Sequence, residues 1–248
     1  MAEIESDLKV IHRVQPRAHR VFLTGANPFV LTTHRLIDIG LLVRKYVGEG
    51  QPTIGCFARI TDITKKSIEE LRQLHHLGFD YLTIGVESGD SETLARVNKG
   101  YVAEDILEQC LKLEAAGIRY NFFYLVGLAG RGNGERNASR SAAVFNQLHP
   151  VSIGFLSLTL FPESQLYNEI AEGIYQEATE LERLDEMISL VSQLTGKTHI
   201  LARTVSNPIP FTGSLPTDRE MILHDLREAR NQLTEEQLRS YRDSIESL

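Results

Sequence analysis

The sequence predicts an α/β fold: a parallel β-sheet, either open or closed into an incomplete barrel, with helices on its faces. Three observations predict it. Residues 20–161 repeat one unit: strand, glycine-bearing loop, helix, short turn. The strands are continuous apolar runs, the pattern of a sheet covered by helices rather than one facing water. The 248 residues, 42% hydrophobic and 24% charged, suit one large domain or a domain with an appendage, able to bury a core without disulfides. Right-handed crossovers place successive strands side by side, so sequential order is expected. About five such strands are too few for a closed eight-stranded barrel.

The elements follow in order. Residues 3–14 read as a helix with acidic residues early. Arg20–Thr24 is a short strand that runs into the turn Gly25-Ala26-Asn27-Pro28. Residues 33–47 present an apolar helical face, and Gly48, Gly50 and Pro52 stop that helix. Ile54–Ile60 is the second strand. Ser67 with Glu70 three residues on is a capping box, and Ile68, Leu71, Leu74 and Leu77 form the stripe behind it. Phe79–Val86 is the third strand, followed by a short helix at 91–97 and a longer one at 103–116. Tyr120–Val126 is the fourth strand, Gly127–Gly134 a glycine-rich loop, 138–148 a helix and Val151–Phe161 the fifth strand.

Beyond Pro162 the character changes. Residues 1–170 are expected to form the (β/α) core and 171–248 a helical extension packed on it. Leu181, Leu184, Ile188, Val191 and Leu194 mark a long helix, 218–231 another, and Thr234 with Gln237 caps a last one. Thr198–Val205 reads as a strand or an extended arm. Asn207–Gly213, with Pro208 and Pro210, reads as loop.

Composition excludes several classes. The net charge of −7 opposes non-specific nucleic-acid binding. No stretch approaches the ~20 apolar residues of a membrane helix. The opening Met1-Ala2-Glu3-Ile4-Glu5 has no basic n-region or apolar h-region, so a cytoplasmic location is expected. The two cysteines, Cys56 and Cys110, lie in apolar strand and helix patterns and read as buried thiols. Two thiols fall short of the three or four that an iron–sulfur cluster takes from protein.

Ligands of parallel α/β folds bind beyond the carboxyl ends of strands. The positions so placed are Gly25, Asn27 and Pro28; Arg59, Thr61 and Asp62; Glu87 to Asp90; Gly127 to Asn133; and Thr159, Pro162, Glu163 and Ser164. Glu87 stands out because it ends a buried apolar run, where a carboxylate needs a partner. That partner is either the following helix N-terminus or a ligand. Arg59 reads as a salt-bridge partner or an anion clamp. The Gly127–Gly134 loop lacks the Gly-Lys-Ser/Thr ending of a Walker motif. The polar residues spell no metal site and no nucleophile elbow.

A set of segments in fixed order carries a resemblance. Val21–Leu31 (VFLTGANPFVL), Tyr81–Asp90 (YLTIGVESGD) with Leu94 and Val97-Asn98-Lys99-Gly100, Asn121–Leu128 (NFFYLVGL) and Phe155–Thr159 (FLSLT) together resemble radical S-adenosylmethionine (SAM) enzymes. The branch is that of oxygen-independent coproporphyrinogen oxidase-like and elongator-type proteins. The resemblance covers about residues 1–170. It implies a partial (β/α)₆ barrel, SAM, and a [4Fe–4S] cluster held by a Cys-x-x-x-Cys-x-x-Cys loop after the family's first strand. It places Arg59 and Glu87 near SAM and Gly127–Gly130 beside the adenine. The binding set it implies is Asn27, Arg59, Glu87, Ser88, Gly127 and Leu128.

This chain departs from the family at the cluster. Aligning its first strand with the family's second leaves residues 1–20 ahead of it, enough for a helix but not for the first strand and the cysteine loop. The cluster is therefore not expected on this chain. Three functions follow: a scaffold or remnant without catalysis, a SAM or nucleotide binding module, or a radical SAM enzyme whose cluster segment comes from a longer gene product. The strand edge at Val21–Leu23 is expected to be covered by the N-terminal helix or by a second copy in a homodimer.

Overall fold

The computed structural model describes residues 1–47 and 51–245. The elements run α1 (Ala2–Val14), β1 (Arg20–Leu23), α2 (Thr33–Tyr46), β2 (Thr53–Ala58), α3 (Ile60–Thr64), α4 (Ile68–His76), β3 (Phe79–Glu87), α5 (Ser91–Arg96), α6 (Ala103–Ala116), β4 (Arg119–Val126) and α7 (Gly134–Phe145). They continue with β5 (Ser152–Ser157), α8 (Gln165–Ala171), α9 (Glu180–Gln193), β6 (Thr198–Ala202), β7 (Phe211–Leu215), α10 (Arg219–Gln232) and α11 (Glu235–Asp243). The strands form one open seven-stranded sheet in chain order. Pairing is parallel at β1–β2, β2–β3 and β5–β6, and antiparallel at β6–β7.

The sequential order and the mostly parallel sheet are as expected; the strand count is not. The sheet has seven strands rather than about five. The two additional ones, β6 and β7, lie in the segment expected to be a helical extension; β6 falls in Thr198–Val205, read as a strand or an extended arm, and β7 includes Phe211–Gly213, read as loop. The prolines at 208 and 210 precede β7, so they cost its ladder no donor. In β7 Phe211, Gly213 and Leu215 are buried and Thr212 and Ser214 exposed. A glycine on the buried face masks that alternation. It is needed there, because a Cβ on Gly213 would lie 2.8 Å from Ile222 Cδ1.

The chain divides into two compact units, one of Met1–Gly85 with Leu107–Asn121, the other of Val86–Ile106 with Phe122–Leu248. In the first, Leu36, Val43, Ile54, Leu71, Leu74, Leu82 and Leu113 are buried. The Ser67 capping box forms as read: its hydroxyl accepts from Glu70 N–H at 3.2 Å and Glu70 returns the bond at 2.8 Å. Gly48 and Gly50, read as part of the α2 stop, lie outside the described residues. At the open edge, α1 and β1 line a hollow of about 570 Å³ in which Phe22 is 41% exposed. In the second unit the rings of Phe145, Tyr124, Phe155 and Phe211 contact in succession, at centroid distances of 6.2, 5.8 and 5.4 Å. Helix α9 packs on α7 and α10. It starts with a capping box, Thr179 with Glu182, and α11 with the Thr234–Gln237 box read from the sequence.

Gly78 closes α4 at φ 104°, and a Cβ there would stand 2.2 Å from the Pro52 carbonyl oxygen. Gly78→Ala is expected to destabilise the protein by about 2 kcal/mol or more, through left-handed strain and this clash. Denaturant unfolding of the two proteins measures it.

Candidate functional site

The β3 end is built from a buried strand that stops in a strained turn. Ser88 N–H donates back to Val86 O at 2.8 Å, and Glu87 between them has φ 62°, a left-handed conformation without a glycine. Its side chain is 23% exposed, with Lys99 Nζ 3.5 Å away. Burial pushes the Glu87 carboxyl above its ordinary range, and Lys99 offsets part of that push.

Ser88, Gly89 and Asp90 turn inward instead. Ser88 Oγ donates to Asn137 Oδ1 at 2.5 Å and accepts from Asp90 N–H at 2.9 Å. Gly89 N–H donates to Ser141 Oγ at 2.7 Å. Asp90 caps α5 and pairs with Arg140 at 2.7 Å and Arg136 at 3.2 Å. Burial raises its carboxyl, but bonds from Arg140, Thr93 and the Glu92 N–H outweigh that, so the net direction is downward.

At the β4 end, Gly127 is held on both sides. Its N–H donates to Glu186 Oε2 at 2.9 Å, and its carbonyl accepts from Tyr175 OH at 2.9 Å. Leu128 is buried with Leu158 and Tyr175. Glu186 is itself buried and accepts at Oε1 from Tyr124 OH at 2.6 Å and Asn137 Nδ2 at 2.8 Å. Burial raises its pKa, with these three donors and Arg183 opposing.

The remaining predicted residues lie in the first unit. Asn27 Nδ2 donates to the buried carboxylate of Asp62, while Asn27 Oδ1 is enclosed without a partner. Arg59 is the exposed residue preceding α3, and its carbonyl accepts from Asp62 N–H at 3.0 Å and Ile63 N–H at 3.3 Å. Lys66, below its ordinary pKa through burial, donates to the carbonyls of Phe29 at 2.9 Å and Leu31 at 3.0 Å. Asn27 and Arg59 thus belong to one unit, and Glu87, Ser88, Gly127 and Leu128 to the other.

A family model described as the radical SAM superfamily matches residues 1–139, more than half of the chain. The chain belongs to the radical SAM superfamily. No curated protein sequence matches it. Among solved structures it is similar to coproporphyrinogen III oxidase (HemN) of Escherichia coli, at 17% identity and a TM-score of 0.59, over 78% of this chain and 45% of that one. It is also similar to Elp3 of Methanocaldococcus infernus, at 12% identity and 0.57, over 94% and 59%. Methylornithine synthase (PylB) matches at 15% and 0.59, over 91% and 59%. At these identities the likeness is one of fold. The chain spans 45–59% of the length of these three.

The cluster that a radical SAM enzyme needs does not fit the residues of this chain. Cys56 lies inside β2 and Cys110 inside α6, both fully buried. Burial pushes the Cys56 thiol up to about 12 and the Cys110 thiol well above its ordinary value. Thiols so disposed resist the ionisation that iron ligation requires. Among the described residues no group of three or more His, Cys, Asp and Glu is placed to hold a metal ion.

Tyr124, Asn137 and Glu186 are not singled out by the sequence. One signal was available. Glu186 sits between Leu184 and Met187 on the inner side of α9, where a carboxylate is out of place unless it is bonded.

A raised carboxyl pKa in the fold means that ionising Glu87 opposes folding. That loss is absent below about pH 4.5, the unfolded value, and accumulates as pH rises through the folded value. Glu87→Gln is therefore expected to gain thermal stability relative to wild type between pH 4.5 and 7. Parallel melting curves across that range check the sign.

Proposed function

We propose that this chain is a radical SAM-fold protein of the coproporphyrinogen oxidase-like and elongator-type branch that does no cluster chemistry by itself and acts as a scaffold. The placement of Cys56 and Cys110 carries this reading: both thiols are enclosed in the core and held protonated, on a strand and a helix rather than a loop. The closed β4 end supports it, since Gly127 and Leu128 are engaged by Glu186 and Tyr175. Iron and sulfide analysis after anaerobic reconstitution tests it. Iron at background is expected, unchanged in a Cys56→Ala/Cys110→Ala variant. About four irons per chain, lost in that variant, would overturn the reading.

A second reading is favoured by Glu87. A partly buried carboxylate held at a left-handed strand end, with a lysine beside it, suits a grip on the amino group or ribose hydroxyls of SAM or a nucleotide. Backbone strain of this kind, of order 1–3 kcal/mol, persists where surrounding structure imposes it and concentrates at functional sites. In this reading affinity is weak, because no cluster fixes the methionine end. Calorimetry is expected to show SAM binding that is lost in Glu87→Ala. Binding that survives the substitution would remove Glu87 from the site.

A further inference from the structure

A hollow of about 320 Å³ lies in the second unit, between α5, the Gly127–Gly134 loop and residues 173–176. Three arginines line it, Arg96, Arg131 and Arg136, against one carboxylate, Glu92. In a chain of net charge −7 the lining concentrates guanidinium groups, although Glu169 and Asp90 pair with two of them. Two of the arginines carry ion pairs, one of them with Glu92 in the lining itself. Arg96 Nη2 is 2.6 Å from Glu169, and its guanidinium lies 5.3 Å from the centre of the Tyr175 ring. Arg136 is 3.2 Å from Asp90 and 2.9 Å from Glu92. Each of these pairs engages only part of a guanidinium with five N–H donors. Arg96, Arg136 and Arg140 are matched by Glu169, Asp90 and Glu92, so the surplus positive charge at the hollow is that of Arg131, while the paired guanidiniums keep N–H groups to offer.

Arg131 is different. Its side chain is exposed, and among the described residues it makes no ion pair. Its backbone holds it at the rim: Arg131 N–H donates to Gln176 O at 2.9 Å. Gly130 beside it has φ 82°, and a Cβ there would stand 2.8 Å from Gln176 O and 2.9 Å from Tyr175 Cε2. The loop therefore lies flat against residues 175–176, which fixes where Arg131 leaves the backbone.

We propose that this hollow binds a phosphate group carried on a small organic molecule. Three guanidinium forks around one small space supply more donors than the two oxygens of a carboxylate accept, and they match the terminal oxygens of a phosphate dianion. The volume stands at the lower end of the ~300–1,000 Å³ range of small-molecule sites. The proposal is independent of the cluster and of Glu87.

Titration calorimetry of the full chain at low salt, with ribose 5-phosphate, inorganic phosphate and ribose, tests it. Ribose 5-phosphate is expected to bind more tightly than inorganic phosphate, and ribose not at all. Arg131→Glu is expected to weaken ribose 5-phosphate at least about 10-fold, Arg131→Lys less, with unchanged melting temperatures because the side chain is exposed. Arg72→Glu, an exposed arginine on α4, is expected to change nothing. No binding at millimolar ribose 5-phosphate, or equal affinity in Arg131→Glu and wild type, overturns the site. Equal affinity for inorganic phosphate and ribose 5-phosphate overturns the carried-phosphate claim.

Discussion

The buried carboxylate of Glu186 is the constraint on which the second unit depends. Enclosing it costs several kcal/mol unless its lone pairs are answered. They are answered by Tyr124 on β4, Asn137 on α7 and the Gly127 N–H at the β4 end. One group on α9 thus ties together a strand, its loop and the next helix. Asn137 passes the connection on to Ser88 and so to the β3 end. Because the network is fully bonded it rigidifies; with one member removed, the others would be left as buried unpaired groups.

A second buried cluster anchors the C-terminal helices. Arg183 donates to Leu158 O at 2.6 Å and pairs with Glu177 at 2.6 Å. Arg242 on α11 forks onto both oxygens of Glu180, at 2.5 and 2.8 Å. Glu235 returns the connection by accepting from the N–H groups of Glu180 and Leu181, at 2.9 and 3.0 Å, at the start of α9. A carboxylate there also suits the helix dipole. Helices α9 and α11 are therefore joined by charge at the end of α9 that begins beside Tyr175. Apart from Leu158 these residues belong to 171–248, the segment expected to be a helical extension, and Arg183 also stands against the β4 end, where a Cβ on Gly127 would lie 3.0 Å from its Nη1.

The core was legible because its signals are local. Apolar runs mark β1 to β5, capping boxes mark α4 and α11, and the ordered segments carry the superfamily. β6 falls in Thr198–Val205, where strand and extended arm read alike; β7 was hidden by short length, by Gly213 on the buried face and by Pro208 and Pro210, whose effect on the ladder depends on which side they fall. The site was half legible. The strand-end rule pointed to Glu87 and Gly127, and the structure puts both at strand ends. What their groups bond to was not legible, because Glu186 and Tyr175 lie 59 and 48 residues from Gly127. Such distant partners follow from the packing of α9, which no local pattern records.

In this radical SAM-superfamily chain Glu186 and Tyr175 close the β4 end, while the strained Glu87 carboxylate stays partly open at the β3 end. The most direct test is native-state hydrogen exchange at the Gly127 amide. If Glu186 holds it as described, the amide exchanges only through near-global unfolding, with a protection free energy close to that of the whole domain. Rapid exchange through a local opening several kcal/mol below that level would contradict the account and leave the β4 end accessible to ligand.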